Sequence, residues 1–334
     1  MASTVPALPQ LDEALAQSVA TELASVEDSL REAVASHDAL MRWTARHLLD
    51  AGGKRVRPLL TLLAASFGTM SSTEVRDAAV LVELTHLASL YHDDVMDSAP
   101  TRRGAASAHE VWGNNVAILT GDFLFARASA LSAGLGAEVS REHAHTFERL
   151  CLGQLHETVG PSEGDDPFDH YIGVLRDKTA SLLALAGGLG ADTSGAPAEI
   201  GRTLREYGEI VGVAFQLADD VLDLRSDAEI SGKTPGTDLR EGVSTMPVLL
   251  VRRRADEGDV EAQRLVELLD GDLSDDAALA QALDALRSHP AVEETDRMAR
   301  SMAQAAIDVL ERLPHAAGRD ALIEFTRTLV DRGR

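Results

Sequence analysis

Two runs in the chain repeat one acidic spacing, Asp93-Asp94-Val95-Met96-Asp97 and Asp219-Asp220-Val221-Leu222-Asp223. On a helix, the first and fifth carboxylates of each run lie one turn apart on a shared face. Like charges so placed weaken a helix unless a cation sits between them. One such run usually marks a solvated helix end. Here both runs close apolar stretches, THLASLYH and AFQLA, and buried carboxylates must be paired, protonated or bound to metal. Hard oxygen donors suit magnesium, which takes few carboxylates and fills its sphere with waters and phosphate oxygens. Six carboxylates exceed the needs of one magnesium and fit several ions bridging a polyanion.

A polyanion also requires cations. Gly52-Gly53-Lys54-Arg55-Val56-Arg57-Pro58 gathers three at an expected helix start, where glycines admit close backbone approach and a helix N-terminus favours anions. Arg102-Arg103-Gly104 follows the first acidic run, and arginine can grip phosphate oxygens bidentately. Lys178-Thr179 sits inside an apolar helical segment, where an unpaired lysine is costly. Lys233 follows the second acidic run within SGKTPGTD. Any one of these is commonly a surface cation, and Arg55 reads as one. Together they form two basic sets, and so two phosphate sites. His86 precedes Asp93 on nearly the same helix face; a satisfied core histidine is the usual reading, but its place beneath the acidic run points to ligand binding.

The elements that must hold these side chains are helices. Apolar residues recur at helical spacing from Leu11 to Leu49, and a further helix is expected from near Arg57. Segments 74–98, 112–134, 139–158, 168–190, 198–224 and 244–257 read as helices, with loops at 98–105, 160–167 and 225–243. The C-terminal third continues the pattern, with breaks at 270–276 and 288–290. No Gly-rich nucleotide fingerprint follows a strand, and no strand–helix rhythm is present. The expected fold is an all-α bundle with a deep central cavity, formed by residues 1–334 as one domain, with 1–10 a flexible extension. Sites in such bundles are built from side chains on facing helices.

The chain has 31 basic and 54 acidic residues and a formal charge of −23, which argues against nucleic-acid binding. With only 4% aromatic residues, Ala, Leu and Val must build the core. The single cysteine, Cys151, excludes a disulfide within one chain and reads as a small core residue. No signal-peptide pattern and no apolar run of spanning length stand out, so a cytoplasmic location is expected.

The stretches GGKRVRPLL, HLASLYHDDVMDSAPTRRG, WGNNVAILTGDFLFARA, GQLHE, DKTASL, FQLADDVLD and GKTPGTDLREG, in this order, resemble the all-trans polyprenyl diphosphate synthases. The resemblance is clearest from about 45 to 250. It implies the all-α isoprenoid synthase bundle, a homodimer, several Mg2+ ions per site, and condensation of an allylic diphosphate with isopentenyl diphosphate. It implies that Asp93, Asp97 and Asp219 ligate the metal, with Asp94, Asp220 and Asp223 nearby in the catalytic set. Lys54, Arg57, His86 and Arg103 would bind isopentenyl diphosphate. Arg102, Lys178, Thr179, Gln216 and Lys233 would hold the allylic diphosphate. At most, product release would involve peripheral membrane contact.

The growing chain should descend along the helix that bears Asp93, past Ser89, His86 and Val82, with Ala88 and Thr85 bordering the path. Short-chain relatives close this path with an aromatic residue four or five positions before the first Asp. Here those positions are Ser89 and Ala88, and the insertion seen in some short-chain relatives is absent. The resemblance thus favours a product beyond twenty carbons, with Phe123, Phe125 and Phe147 as candidate floors. The alternatives are a geranylgeranyl diphosphate synthase with its floor elsewhere, a terpene cyclase, and a non-catalytic synthase subunit. A cyclase does not need Lys54, Arg57 and Arg103, and a non-catalytic subunit could lose one Asp run, yet both are intact.

Overall fold

Side-chain caps set where many of the helices begin. Asp12, Asp38, Ser72, Asp166, Asp259 and Asp275 each accept hydrogen bonds from first-turn backbone N–H groups that lack a helical partner. The structure, a computed structural model, describes residues 12–225, 236–240 and 242–331; the expected extension 1–10 lies outside them. In order the helices are α1 (Glu13–Ala33), α2 (Ala39–Asp50), α3 (Val56–Ala65), α4 (Thr73–Met96), α5 (Ala108–Trp112), α6 (Asn114–Leu135), α7 (Ala137–Val159), α8 (Pro167–Leu175), α9 (Ser181–Thr193) and α10 (Ala198–Arg225). They continue as α11 (Thr237–Arg240), α12 (Met246–Asp256), α13 (Val260–Leu269), α14 (Asp276–Ser288), α15 (Pro290–Leu310) and α16 (Ala317–Val330). A wide π-turn, Arg176–Ala180, joins α8 to α9. The described strands are one two-residue pair, β1 (Thr101–Arg102) and β2 (Ala105–Ala106), antiparallel with Arg102 opposite Ala105.

The two helices that carry the acidic runs are central to the packing. α4 buries Val75, Ala78 to Thr85, Leu87, Ala88 and Tyr91, and α6 packs along it. α10 packs between α9 and α15. The first apolar core joins α1–α4, α6, α9 and the first half of α10; the second joins the end of α10 to α12–α15. The ends of α4 and α10, where the acidic runs sit, are therefore held by dense packing behind them.

Several expectations change. The run from Leu11 to Leu49 is two helices, because Asp38 caps a new start. The segment 112–134 is interrupted at Gly113, which has φ +84°. Segment 168–190 is α8 and α9 with the π-turn between them, and α11 lies within the expected loop 225–243. Cys151 is exposed rather than a core residue. Contrary to expectation, α6 is long and apolar enough to cross a membrane by length and composition, and only 33% of its most apolar window is buried.

Candidate active site

The two acidic runs divide their carboxylates in the same way. Asp93 and Asp97 sit at the last turn of α4, where the Asp97 N–H donates to the Asp93 carbonyl at 2.8 Å. Burial and the neighbouring Asp97 push the Asp93 carboxyl up to about 6, although Lys178 and Arg102 pull it down. Asp94 turns inward and is fully buried. Arg102 Nε donates to its Oδ1 at 2.6 Å, and its Oδ2 has no partner among the described residues. In the second run Asp220 is the buried member. Its Oδ2 accepts from the Tyr171 hydroxyl at 2.6 Å and from the Met246 N–H at 3.1 Å, and burial raises its carboxyl well above the usual range. Asp219 and Asp223 remain half-buried on the other side of α10. The resemblance implied Asp93, Asp97 and Asp219 as metal ligands, with Asp94, Asp220 and Asp223 nearby. The fold makes the second aspartate of each run an anchor, because a helix residue next to a site-facing one points about 100° away.

The hairpin separates the two adjacent arginines. Arg102 goes to Asp94, whereas Arg103, at φ +55°, turns back to the glycine bend, where its Nη1 donates to the Leu48 carbonyl at 2.9 Å and also to that of Gly52. Gly53 adopts φ +151°, which a side chain disfavours, and a Cβ there would lie 2.8 Å from Arg55 Nη1 and 2.9 Å from Arg103 Cζ, displacing both guanidinium groups. Arg57 shares this corner. Its Nε is buried with no hydrogen-bond partner among the described residues, and burial with the nearby Arg103 lowers its pKa to about 10. Burial, then Arg57, Arg103 and Arg102, hold His86 well below its ordinary value, so its imidazole is neutral. Lys54 is exposed on the same bend. Arg55 is not a surface cation: it is 3% exposed, donates to Glu83 Oε1 at 3.0 Å and pairs with Glu27. A buried charge needs such partners. It supports the bend from behind.

The π-turn carries Lys178 and Thr179. Lys178, for which an unpaired state in apolar surroundings would be costly, donates to Glu157 of α7. Burial would lower its pKa, yet the carboxylates of Glu157, Asp93 and Asp97 raise it overall. Glu157 and Lys178 thus sit as an ion pair within electrostatic reach of the first acidic run. Thr179 is buried. Gly212 of α10 backs the turn, since a Cβ there would overlap Ala180, and Gln216 follows one helical turn later on that face. Lys233 lies outside the described residues. Glu83, Glu157 and Tyr171 received no role from sequence reasoning; GQLHE was visible as a motif, but only the fold brings its Glu157 to Lys178.

Among the described residues, no three His, Cys, Asp or Glu side chains converge closely enough to cage an ion. The raised Asp93 carboxyl, one turn from Asp97, is nevertheless what a divalent cation would relieve, and the donors are hard oxygens. The residues fit a metal that completes its sphere with water and phosphate.

Below Asp93, Ser89 is half-buried and donates to the His86 carbonyl at 2.9 Å, while Ala88 and Val82 are fully buried. Ala88 lies under His92 on the side facing α6, where its carbonyl would be 3.2 Å from a Cβ on Gly121. Phe125 and Phe147 pair across α6 and α7 with ring centroids 4.2 Å apart. Phe123 instead stacks with Arg127 of its own helix. Further from the acidic run, buried His143 meets the Thr85 hydroxyl at 3.0 Å.

The nonaprenyl diphosphate synthase of Mycobacterium tuberculosis is 44% identical over 322 residues, spanning 96% of this chain and 95% of that protein. Among solved structures, a polyprenyl synthase from Caulobacter crescentus CB15 complexed with calcium and isoprenyl diphosphate aligns with a TM-score of 0.86 at 32% identity, over 96% of this chain and 97% of its own. A geranylgeranyl pyrophosphate synthase from Corynebacterium glutamicum, also with calcium and isoprenyl diphosphate, aligns at 0.84 and 40% identity, over 96% and 98%. The family model described as polyprenyl synthetase matches residues 38–286. Relatives matched over nearly their whole length, on an all-α bundle with two acidic helix ends, show that the chain belongs to the polyprenyl synthetase family of prenyltransferases.

Proposed function

We propose that the chain joins isopentenyl diphosphate to an allylic diphosphate at the ends of α4 and α10 and extends the product beyond twenty carbons. The observation that carries this reading is the hairpin's division of labour: Arg102 sits on the acidic run, Arg103 with Arg57 and His86. Only the seat beside carboxylates can recruit Mg2+, and only the allylic diphosphate must leave during the reaction. Hence Arg102, Lys178, Thr179, Gln216 and Lys233 serve the allylic diphosphate, and Lys54, Arg57, His86 and Arg103 serve isopentenyl diphosphate. Magnesium held by Asp93, Asp97 and Asp219 would supply charge against the departing diphosphate.

Lys178 and Arg102 stabilise the negative charge that grows as the allylic C–O bond breaks. The isopentenyl double bond attacks the resulting allylic cation, a C–C bond forms, and a proton leaves, with the released diphosphate as base. Neutral His86 can exchange one hydrogen bond with a diphosphate oxygen without adding charge. The apolar walls of α4, α6 and α7 exclude the water that would quench the cation.

Small Ser89 and Ala88 leave the path beside α4 open, and the Phe125–Phe147 pair is the candidate floor. The similarity to a nonaprenyl synthase supports the long product, and that to a geranylgeranyl synthase keeps twenty carbons as the second reading. Incubation with labelled isopentenyl diphosphate and several allylic primers, with products sized by chromatography, separates the two: a product ending at twenty carbons rejects the long-chain reading. Exposed Ile118, Leu119, Leu152, Leu155 and Val159 on α6 and α7 suit a homodimer face. A scattering mass near the 35.6 kDa of one chain would reject it. A cytoplasmic enzyme using water-soluble diphosphates completes the reading.

A further inference from the structure

Arg149, Gly153 and Glu157 recur every fourth residue along α7, so they share one face. That face lies along the π-turn. Arg149 Nε donates to Asp177 Oδ1 at 2.7 Å, and its Nη2 donates to the Arg176 carbonyl at 3.3 Å and to Glu209 Oε2 of α10 at 3.1 Å. A Cβ on Gly153 would stand 2.5 Å from the Lys178 backbone nitrogen, so the two backbones touch. Glu157 then accepts from the Lys178 ammonium.

The charges are crossed. The basic residue of α7 meets the acid of the turn, and the acid of α7 meets the next residue of the turn, a lysine. The turn itself is wide: the Ser181 N–H donates back to the Arg176 carbonyl, and the Ser181 hydroxyl donates to the Asp177 carbonyl at 2.7 Å. A π-turn holds one residue more than an α-turn. Losing that residue would rotate the rest of the helix by about 100° and move Lys178 towards Arg149, like charge to like.

We infer that this stripe of α7 is a clamp that holds the π-turn in the one register presenting Lys178 and Thr179 to the allylic diphosphate, with Arg149 as a positioning residue that never touches substrate. The inference rests on the assignment of Lys178 and Thr179 to the allylic seat. Arg149 joins α7, the turn and α10 as a single guanidinium, so its loss should leave the groups present but misaimed.

The test compares Arg149→Met with Arg205→Met. Arg205 is an equally bonded guanidinium, donating to Glu142 at 2.6 and 2.7 Å and to Asp192 at 2.6 Å, away from the turn. Both variants should lose thermal stability. Only Arg149→Met should raise the KM for farnesyl diphosphate, by roughly tenfold or more, with the isopentenyl diphosphate KM unchanged, and Arg149→Lys should recover part of the loss. If Arg149→Met does not fold, Asp177→Asn breaks the same contact more gently and should show the same split. A rise confined to the isopentenyl KM would keep the clamp and overturn the assignment of the seat. Both KM values matching those of Arg205→Met would overturn the clamp.

Discussion

The Tyr171 hydroxyl donates to Asp220 Oδ2 at 2.6 Å, behind the face of α10 that presents Asp219. Neighbouring aspartates of one motif thus do different work. Tyr171→Phe should cost about 1–3 kcal/mol of stability, because it leaves a buried carboxyl short of a donor. Asp219→Ala should lower turnover by orders of magnitude with little loss of stability. Denaturant titration alongside initial rates checks both. Equal destabilisation by the two variants would contradict the division.

Arg57 offers a buried Nε with no hydrogen-bond partner among the described residues, in the corner it shares with Arg103 and His86. Arg57→Met should raise the isopentenyl diphosphate KM by about tenfold to a hundredfold, the worth of a charge-assisted hydrogen bond, and leave the allylic KM in place. Steady-state kinetics with each substrate varied in turn would show the reverse pattern if the two seats were exchanged.

Removal of divalent metal should abolish condensation, and added magnesium should restore it, because the charge that stabilises the leaving group is then missing. The measurement is incorporation of labelled isopentenyl diphosphate before and after chelation. Full turnover in excess chelator would reject the metal assignment to Asp93, Asp97 and Asp219.

Ser89 and Ala88 are adjacent but differ in surroundings. Ser89→Phe should stay active and shift products to about fifteen or twenty carbons, since each helical turn of ~5.4 Å accommodates about one isoprene unit. Ala88→Phe should shorten products too, with an overpacking cost of about 1–3 kcal/mol against α6 near Gly121. Val82→Phe, deeper on the helix, should truncate later or not at all. Chromatography of dephosphorylated products reads the outcome, and wild-type lengths from both Ser89→Phe and Ala88→Phe would remove this face of α4 as the ruler.

His143 supplies a pH dependence away from the acidic runs. The Thr85 hydroxyl proton goes to the Leu81 carbonyl at 2.8 Å, so Nε2 of His143 carries the proton of their shared bond. Burial lowers the His143 pKa from 6.5, so below that pH the unfolded chain binds a proton that the folded chain refuses. This contribution to stability is present above 6.5 and is lost as pH falls. Relative to His143→Gln, the wild type should lose up to about 1.4 kcal/mol per pH unit below 6.5. Parallel curves for the two proteins from pH 7.5 to 5 would contradict it.

The repeated Asp spacing, the cation clusters and the helical periodicity are local patterns, so the sequence alone determined the all-α class and the chemistry to be sought. Caps and glycines were also local, yet the breaks at Asp38 and Gly113 were hidden by apolar periodicity that ran through them. Only the tertiary structure decided which aspartates face the site, because Asp94 and Asp220 turn inward to Arg102, Tyr171 and the Met246 N–H, partners distant or displaced in sequence. It likewise moved Arg55 from the surface to a buried pair with Glu83, gave Lys178 its Glu157 partner, and sent Arg102 and Arg103 to different corners. The physical reason is that spacing along a helix fixes which residues share a face, whereas the partner of a charge is whatever another element brings within hydrogen-bond reach, and only packing determines that.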